Sequence, residues 1–397
     1  MSQSSPLEDS RAVPPQDITV AIFCALTIEV VAVKFTLDER LTSHPAMAGS
    51  EVLIYSYGRI GGHNAVIVRG TQMGPVNAAT CAATVVQQFP NIRFALVVGI
   101  GSGIPSRSQD IRLGDVAVGI PGGSHPGVIQ YDLGKYERDG SFILKGCLNK
   151  PPSVLINACH RLEEHEEETG RRPHCDILKV IGENHGRYKR PSEDDVLFKD
   201  DFPHVDAGGD CAECQAAGEG SVVSRGPRDE IDQSFVHLGL IMSGGGVVKN
   251  SEDRRRLRRG NEGAICFEME AAGIVDQIPC LVIRGICAYA DTHNNDDWHR
   301  YAAAAAAAYG KAILTKVTGQ EVREAMRLQD LMKDLNTVKD NLGEGGDTFG
   351  EFRKDKEQQK VLDWLRQEGW RHPQDDHFAK CEHGVGRWLL DSPKFKE

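Results

Sequence analysis

Four short runs constrain this chain more than anything else in it: ITVAIF at 18–23, NAVIVR at 64–69, FALVVGI at 94–100 and DVAVGI at 115–120. Each holds a continuous apolar stretch rich in Val and Ile rather than an alternation of apolar and polar residues. Strands of that kind are covered on both faces. Between the second and third lies GPVNAATCAATVVQQF at 74–89, which reads as a helix, with Gly74 ahead of it and Pro75 in its first turn. The alternation resumes further on, with a strand at VHLGLIM (236–242), a helix at FEMEAAGIVDQI (267–278), a strand at CLVIRGICAY (280–289) and a helix at DWHRYAAAAAAAYGKAILTKV (297–317). This order implies an α/β fold, a sheet sandwiched between helices. Ligands of open α/β sheets sit at the carboxyl ends of the strands. The loops near 25–29, 71–77, 99–105, 243–248 and 284–291 are therefore expected to converge on one site.

The stretch 160–235 breaks the pattern. It is polar and charged, with Gly and Pro, and reads as a partly mobile insertion between core strands. Within it, Cys211-x2-Cys214 follows His204, which offers three zinc ligands. A second pair at zinc-site spacing is lacking, so two ordinary thiols remain the plainer reading and no metal is expected. Beyond residue 318 the chain reads as amphipathic helices (319–397) leading into a further module, and residues 1–16 read as a disordered leader.

The net charge of −11 argues against a general nucleic-acid binder, which needs a basic surface. No apolar run approaches the length of a membrane span. The start of the chain has no basic segment followed by an apolar block, as a signal peptide would. With an odd count of 11 cysteines scattered through apolar runs, the expected compartment is the reducing cytoplasm.

Chemistry-bearing residues cluster in a few segments. VVGIGSGIPS at 97–106 is glycine-rich and follows a strand, so its backbone can approach a ligand closely, although a tight strand-loop explains it equally. Glu29 sits in the apolar context IFCALTIEVVAV, and Thr71 at the strand end RGTQMGPVN. In GAICFEMEAAG (263–273), Glu268 and Glu270 flank Met269 inside an apolar run, where an unpartnered carboxylate costs several kcal/mol. The basic run RRRLRR at 254–259 is either a solvated helix face or a grip for phosphates through Arg254, Arg255 and Arg258, with Lys249 beside them.

Together these segments, over residues 17–318, resemble the nucleoside phosphorylase and nucleosidase superfamily, most strongly in CFEMEAAGIV followed by VIRGICAYAD. The resemblance implies a three-layer α/β/α sandwich with a central mixed sheet, no cofactor, a purine nucleoside or nucleotide as partner, and a homo-oligomer. It implies that Met269 and Glu270 hold the ribose, Glu270 by accepting hydrogen bonds from sugar hydroxyls, with Glu268 structural. It places Glu29, Thr71 and Arg284 around an attacking water, and Gly101, Val247, Val248 and Phe267 around the substrate, with the backbone of Val248 reading the base edge. The family's general acid, an Asp that protonates the purine at N7, falls on Ala288. An alanine has no proton to give, so this chain is expected to be inactive there. The completeness of the remaining site favours a deliberate Asp-to-Ala replacement over a natural pseudoenzyme. Phosphorylases of the family carry a phosphate-holding Arg where this chain has Leu96, Val97 and Val98, which points to water as nucleophile and to a hydrolase of adenine nucleosides or nucleotides, ATP among them. A phosphorylase and a nucleoside-sensing module are the alternatives. The tail KEQQKVLDWL…CEHGVGRWLLDSPKF resembles the connector before the NACHT domain of fungal NOD-like receptors, which implies an immune effector.

Overall fold

The computed structural model describes residues 12–43, 53–192, 194–200, 202–205, 211–216, 220–228, 233–293 and 296–324. Most of the expected leader and of the segment 319–397 lies outside them. The four diagnostic runs form the strands Val20–Cys24, His63–Arg69, Phe94–Gly103 and Val116–Gly119. They belong to one mixed sheet of eleven strands. Phe94–Gly103 lies between Val20–Cys24 and Cys280–Ala288 and runs parallel to both. Cys280–Ala288 pairs antiparallel with Val116–Gly119, which pairs with Val236–Ser243, which pairs with Ala264–Glu268. The last of these returns to Ser102 and Gly103, so five strands close into a ring. Register irregularities at Leu240/Ile241 and Ile286/Ala288 fall within the ring, where a bulge supplies the bending that closure needs.

Helices cover both faces. Neighbouring side chains on a strand point to opposite sides. On Phe94–Gly103, Leu96 and Val98 pack at Gly310 of the helix Trp298–Lys316, while Val97 faces Ala78 and Cys81 of the helix Pro75–Gln88. Ala302 to Ala308 are all buried. Their small side chains let the helix backbone come so near the sheet that a Cβ at Gly285 would overlap the carbonyl of Ala302. The polar stretch after residue 150 supplies the helices Ser153–Thr169 and Pro173–Asn184, which bury Leu155, Leu162, Leu178 and Ile181 and pack on Trp298–Lys316.

Two local expectations are corrected. The helix expected over 267–278 is confined to Ala271–Ile274, because Phe267 and Glu268 are paired into the strand Ala264–Glu268. An apolar run of that length fits either state, and strand pairing decided it. The glycine-rich stretch is likewise no loop up to Gly103, because the strand continues through it. Its glycines make room for protein rather than for a ligand. Gly99 lies against Glu29 and Arg284, Gly101 against Cys266, and Gly103 against Ile286. Among the described residues no helix is long and apolar enough to cross a membrane.

Candidate functional site

The strand ends bring three carboxylates and one guanidinium together. Glu29 opens the helix Thr27–Phe35 directly after the strand Val20–Cys24, where the helix dipole favours an acid. It is buried, and its carboxylate accepts the backbone N–H groups of Ala25 (2.8 Å), Leu26 (2.7 Å) and Ile100 (2.8 Å). Arg284 comes from the interior of Cys280–Ala288 and is 1% exposed. Its Nη2 donates to Glu268 and, at 3.2 Å, to Glu270. The switch from strand to short helix is what turns both carboxylates onto one arginine. Glu268 ends the strand and accepts the N–H groups of Glu270 (3.0 Å) and Ala271 (3.0 Å), while Glu270 begins the helical turn.

The charges in this knot do not balance, and their acidities respond. Burial pushes the Glu29 carboxyl above its ordinary range, with Arg284 and the three backbone donors opposing. Burial also raises Glu270, helped by the charges of Glu268 and Glu29 and opposed by Arg284, from the ordinary 4.5 to about 7. Burial works against the charge of Arg284, but Glu268, Glu270 and Glu29 outweigh it and keep the guanidinium protonated. Its Nε has no hydrogen-bond partner among the described residues. Glu270 also accepts the N–H of Gly74 at 3.4 Å, and Gly74 has φ 103°, a conformation that suits glycine. A small cavity at these strand ends is lined by Cys24, Ala25, Gly70, Gln72, Glu270 and Arg284.

An apolar wall stands at the ring end of the sheet, where Phe267 and Val248 pack with Tyr131, Met242, Ile104 and Ala290. Tyr131 meets Phe267 edge-on at 5.6 Å and donates its hydroxyl to the carbonyl of Gly246 at 2.6 Å. The sequence reading missed Tyr131, a lone aromatic after a three-residue strand with no local signal. It missed as well that Arg225, Asp195 and the Tyr289 hydroxyl are hydrogen-bonded beneath the turn that follows position 288.

Other expected residues fall differently. Gly101 is buried within its strand, and Met269 is half-buried beside Glu270. Thr71 is exposed and does not line the cavity, although Gly70 and Gln72 on either side do. Val247 is 58% exposed, so only Val248 of that pair joins the wall. Ala288 is half-buried at the last position of its strand, opposite Ser102. Asp291, three residues beyond position 288, lies in the turn that follows the strand, after Ala290 at φ 55°, and accepts the N–H of His293 at 2.9 Å.

The phosphate reading of the basic run also needs correction at two positions. Arg254 is buried and its guanidinium is taken up by the carbonyl of Tyr289 and the carboxylate of Asp200. Arg258 is engaged by Glu262 through carbonyl and carboxylate, each at 2.6 Å. Lys249 and Arg255 remain exposed. His204 and Cys211 lie side by side, Nε2 to Sγ 3.5 Å, and the thiol of Cys214 accepts the N–H of Val205 at 3.3 Å. Among the described residues no three His, Cys, Asp or Glu side chains already stand in metal-holding geometry.

The chain matches no family model. It is 40% identical over 318 residues to a nucleotide-binding leucine-rich repeat (NLR)-like protein of Hyaloscypha variabilis, a match that covers 78% of this chain and 30% of that protein. The chain thus spans under a third of the length of that relative. Among solved structures it is similar to the 5′-methylthioadenosine/S-adenosylhomocysteine nucleosidase of Neisseria meningitidis in complex with methylthio-immucillin-A, at 18% identity and a TM-score of 0.48, over 75% of this chain and 98% of that one. It is similar also to the futalosine hydrolase of Helicobacter pylori, at 14% identity and a TM-score of 0.45, over 75% and 97% of the two chains.

Proposed function

We propose that residues 17–318 form a domain of the nucleoside phosphorylase and nucleosidase superfamily whose site is built to hydrolyse the N-glycosidic bond of an adenine nucleoside or nucleotide. The observation that carries this reading is the convergence of Glu29, Glu270 and Arg284 at the strand ends. A sugar offers hydroxyl donors, and Glu270 is a carboxylate at a cavity wall with one side already fixed by Arg284 and Gly74. Glu29 is the group to activate water. Its raised pKa brings it nearer the neutral range in which a general base works best. Arg284 supplies the positive charge that lets two acids stand together, and its unpartnered Nε is a donor for a bound water. The wall of Phe267, Val248 and Tyr131 suits the face of a purine.

Position 288 lacks a general acid, and loss of such a group costs on the order of 10²–10⁴ in rate. As it stands the chain binds its substrate and turns it over slowly or not at all. The test is the Ala288→Asp chain, incubated with ATP, AMP, adenosine and methylthioadenosine, with free base followed with and without inorganic phosphate. Base release independent of phosphate is expected. Strict dependence on phosphate replaces the hydrolase with a phosphorylase. Background release from every compound leaves a nucleoside-binding module, a reading that Ala288 itself favours.

Lys249 and Arg255 are the cations left to meet a nucleotide's phosphates, and Arg254 and Arg258 hold the protein instead. The chain acts in the cytoplasm as one module of a longer receptor with an immune role, a reading supported by the NLR-like relative and by the connector-like tail. It works as a homo-oligomer, with Met73 and Val76, 50% and 79% exposed, beside the site. Light scattering that returns a monomer mass at micromolar concentration removes this last reading.

A further inference from the structure

A second cluster of chemistry lies away from the carboxylates, where the segment after Phe198 meets the turn after the strand Cys280–Ala288. His204, Cys211 and Cys214 come from that segment, and His293 from the turn. His293 is 8% exposed, and neither of its ring nitrogens has a hydrogen-bond partner among the described residues. Asp291 stands 3.9 Å from its Nδ1, beyond hydrogen-bond reach. The Nδ1 of His204 is buried and unpartnered as well. Two imidazoles with such unmet nitrogens are costly in a protein interior. They also lie together, with ring centroids 5.2 Å apart.

We propose that His204, Cys211, Cys214 and His293 form a structural zinc site that pins the segment around Phe202–Val205 to the turn after position 288. The separation of His204 Nε2 and Cys211 Sγ is 3.5 Å. Zinc bonds of about 2.0 Å to nitrogen and about 2.3 Å to sulfur, at the tetrahedral angle, place the two ligand atoms about 3.5 Å apart. Cys211 and Cys214 have the two-residue spacing of a zinc turn, and an N–H already points at the sulfur of Cys214, as backbone donors do toward metal-bound thiolates. The surroundings are those of a closed structural site. Phe198 stacks on His293 at 3.9 Å, and Phe202 lies parallel to the same ring at 5.8 Å. Cys214 is fully buried.

Two thiolates and two imidazoles select zinc among common divalent ions, since calcium and magnesium take oxygen ligands. Binding releases the two thiol protons to solvent, and the filled site carries no net charge, which suits its burial. No three of the four groups already share a centre, so binding entails rotation of the Cys214 and His293 side chains within the cluster. The site matters to its neighbours because it reinforces a weak tie. The N–H of His204 reaches the hydroxyl of Thr292 at 3.2 Å, and the turn so anchored begins two residues beyond Ala288.

The test uses the full chain purified under reductant, dialysed against zinc, and its metal measured by elemental analysis. About one zinc per chain is expected. Exchange for cobalt is expected to give the ligand-field bands of tetrahedral cobalt with a thiolate-to-cobalt charge-transfer band. Cys214→Ser should weaken the charge-transfer band, His293→Ala should shift the ligand-field bands, and each should lower zinc affinity roughly 100-fold, the upper end of what even a supporting group contributes. Cys147→Ser, at an exposed cysteine, should leave all of this unchanged. A chain that retains no metal, or that gives cobalt spectra without a thiolate band, overturns the proposal whether or not the variants fold. Equal retention by Cys214→Ser and Cys147→Ser does so too.

Discussion

Two groups of charges in this chain look alike in sequence and differ in the fold. Glu29, the pair Glu268 and Glu270, and Arg284 come from three separate places in the chain and are compressed into one buried knot. The arginines of the helix Ser251–Arg258 are close together in sequence, yet Arg255 and Arg256 lie out in solvent, Arg256 59% exposed in its pair with Asp253, and Arg258 pairs with Glu262 at the surface. Arg254 is the exception, turned inward onto Tyr289 and Asp200. The dense run of charge does little structurally, while the scattered set holds the site. The reason is dielectric. Exposed pairs are screened by water and worth little, whereas a buried charge that loses its partner has nowhere to go.

Removing the hub should give the largest effect. Arg284→Met leaves Glu29, Glu268 and Glu270 facing one another without a counter-charge, and breaking a buried pair in this way costs about 3–5 kcal/mol. Urea unfolding at neutral pH is the measurement. A stability within error of the parent chain would show that the knot is hydrated rather than buried.

Arg254→Ala comes next and divides the basic helix from within. Hydrogen bonds to charged groups are worth about 1.5–3 kcal/mol, so a loss of stability in that range is expected. ATP affinity, read by calorimetry, should change no more than adenosine affinity. If stability holds and ATP affinity alone falls, Arg254 belongs with the phosphate-facing cations after all.

The third effect is a slope with pH. Glu270 has its pKa raised in the folded chain, to about 7, so between about 4.5 and 7 the folded state holds a proton that the unfolded state has released. Stability from this group is therefore present at the acid end and lost as pH rises through the folded value. Glu29, raised in the same direction, adds to the trend. Glu270→Gln should flatten the dependence of the unfolding midpoint on pH across that window while abolishing ribose binding. An unchanged slope would show that Glu270 titrates as an ordinary exposed acid.

The smallest effect is expected from Arg255→Ala combined with Arg256→Ala. Neither guanidinium is buried, and the melting temperature should not move measurably. A clear drop would mean that this surface is covered by another part of the protein or by a second copy of it.

Much of this was legible in the residues. Continuous Val and Ile runs with helical segments between them are consistent with little besides a covered sheet, and the expected strands lie where those runs are. Gly74 and Pro75 announce their helix because backbone conformation there is a local matter. Glu29, Glu268 and Glu270 stood out because acids in apolar runs need partners, whereas Arg284 was singled out by the family resemblance alone. Their partners could not be read. Glu268 faces Arg284 because the chain leaves the strand at 268, and whether FEMEAAG continues as strand or helix depends on pairing with Val236–Ser243 and Phe94–Gly103, strands far away in sequence. The glycines at 99, 101 and 103 suggested a ligand loop, but their neighbours are Arg284, Cys266 and Ile286, brought there by sheet closure. Tyr131, the inward turn of Arg254 and the meeting of His204 with His293 were decided in the same way. Sequence by itself determined what is local: the strand and helix periods, the turn residues, and which side chains carry charge into apolar surroundings. Only tertiary structure decided which of those charges are screened and which are buried together, because burial and contact belong to the packed chain and not to any stretch of it.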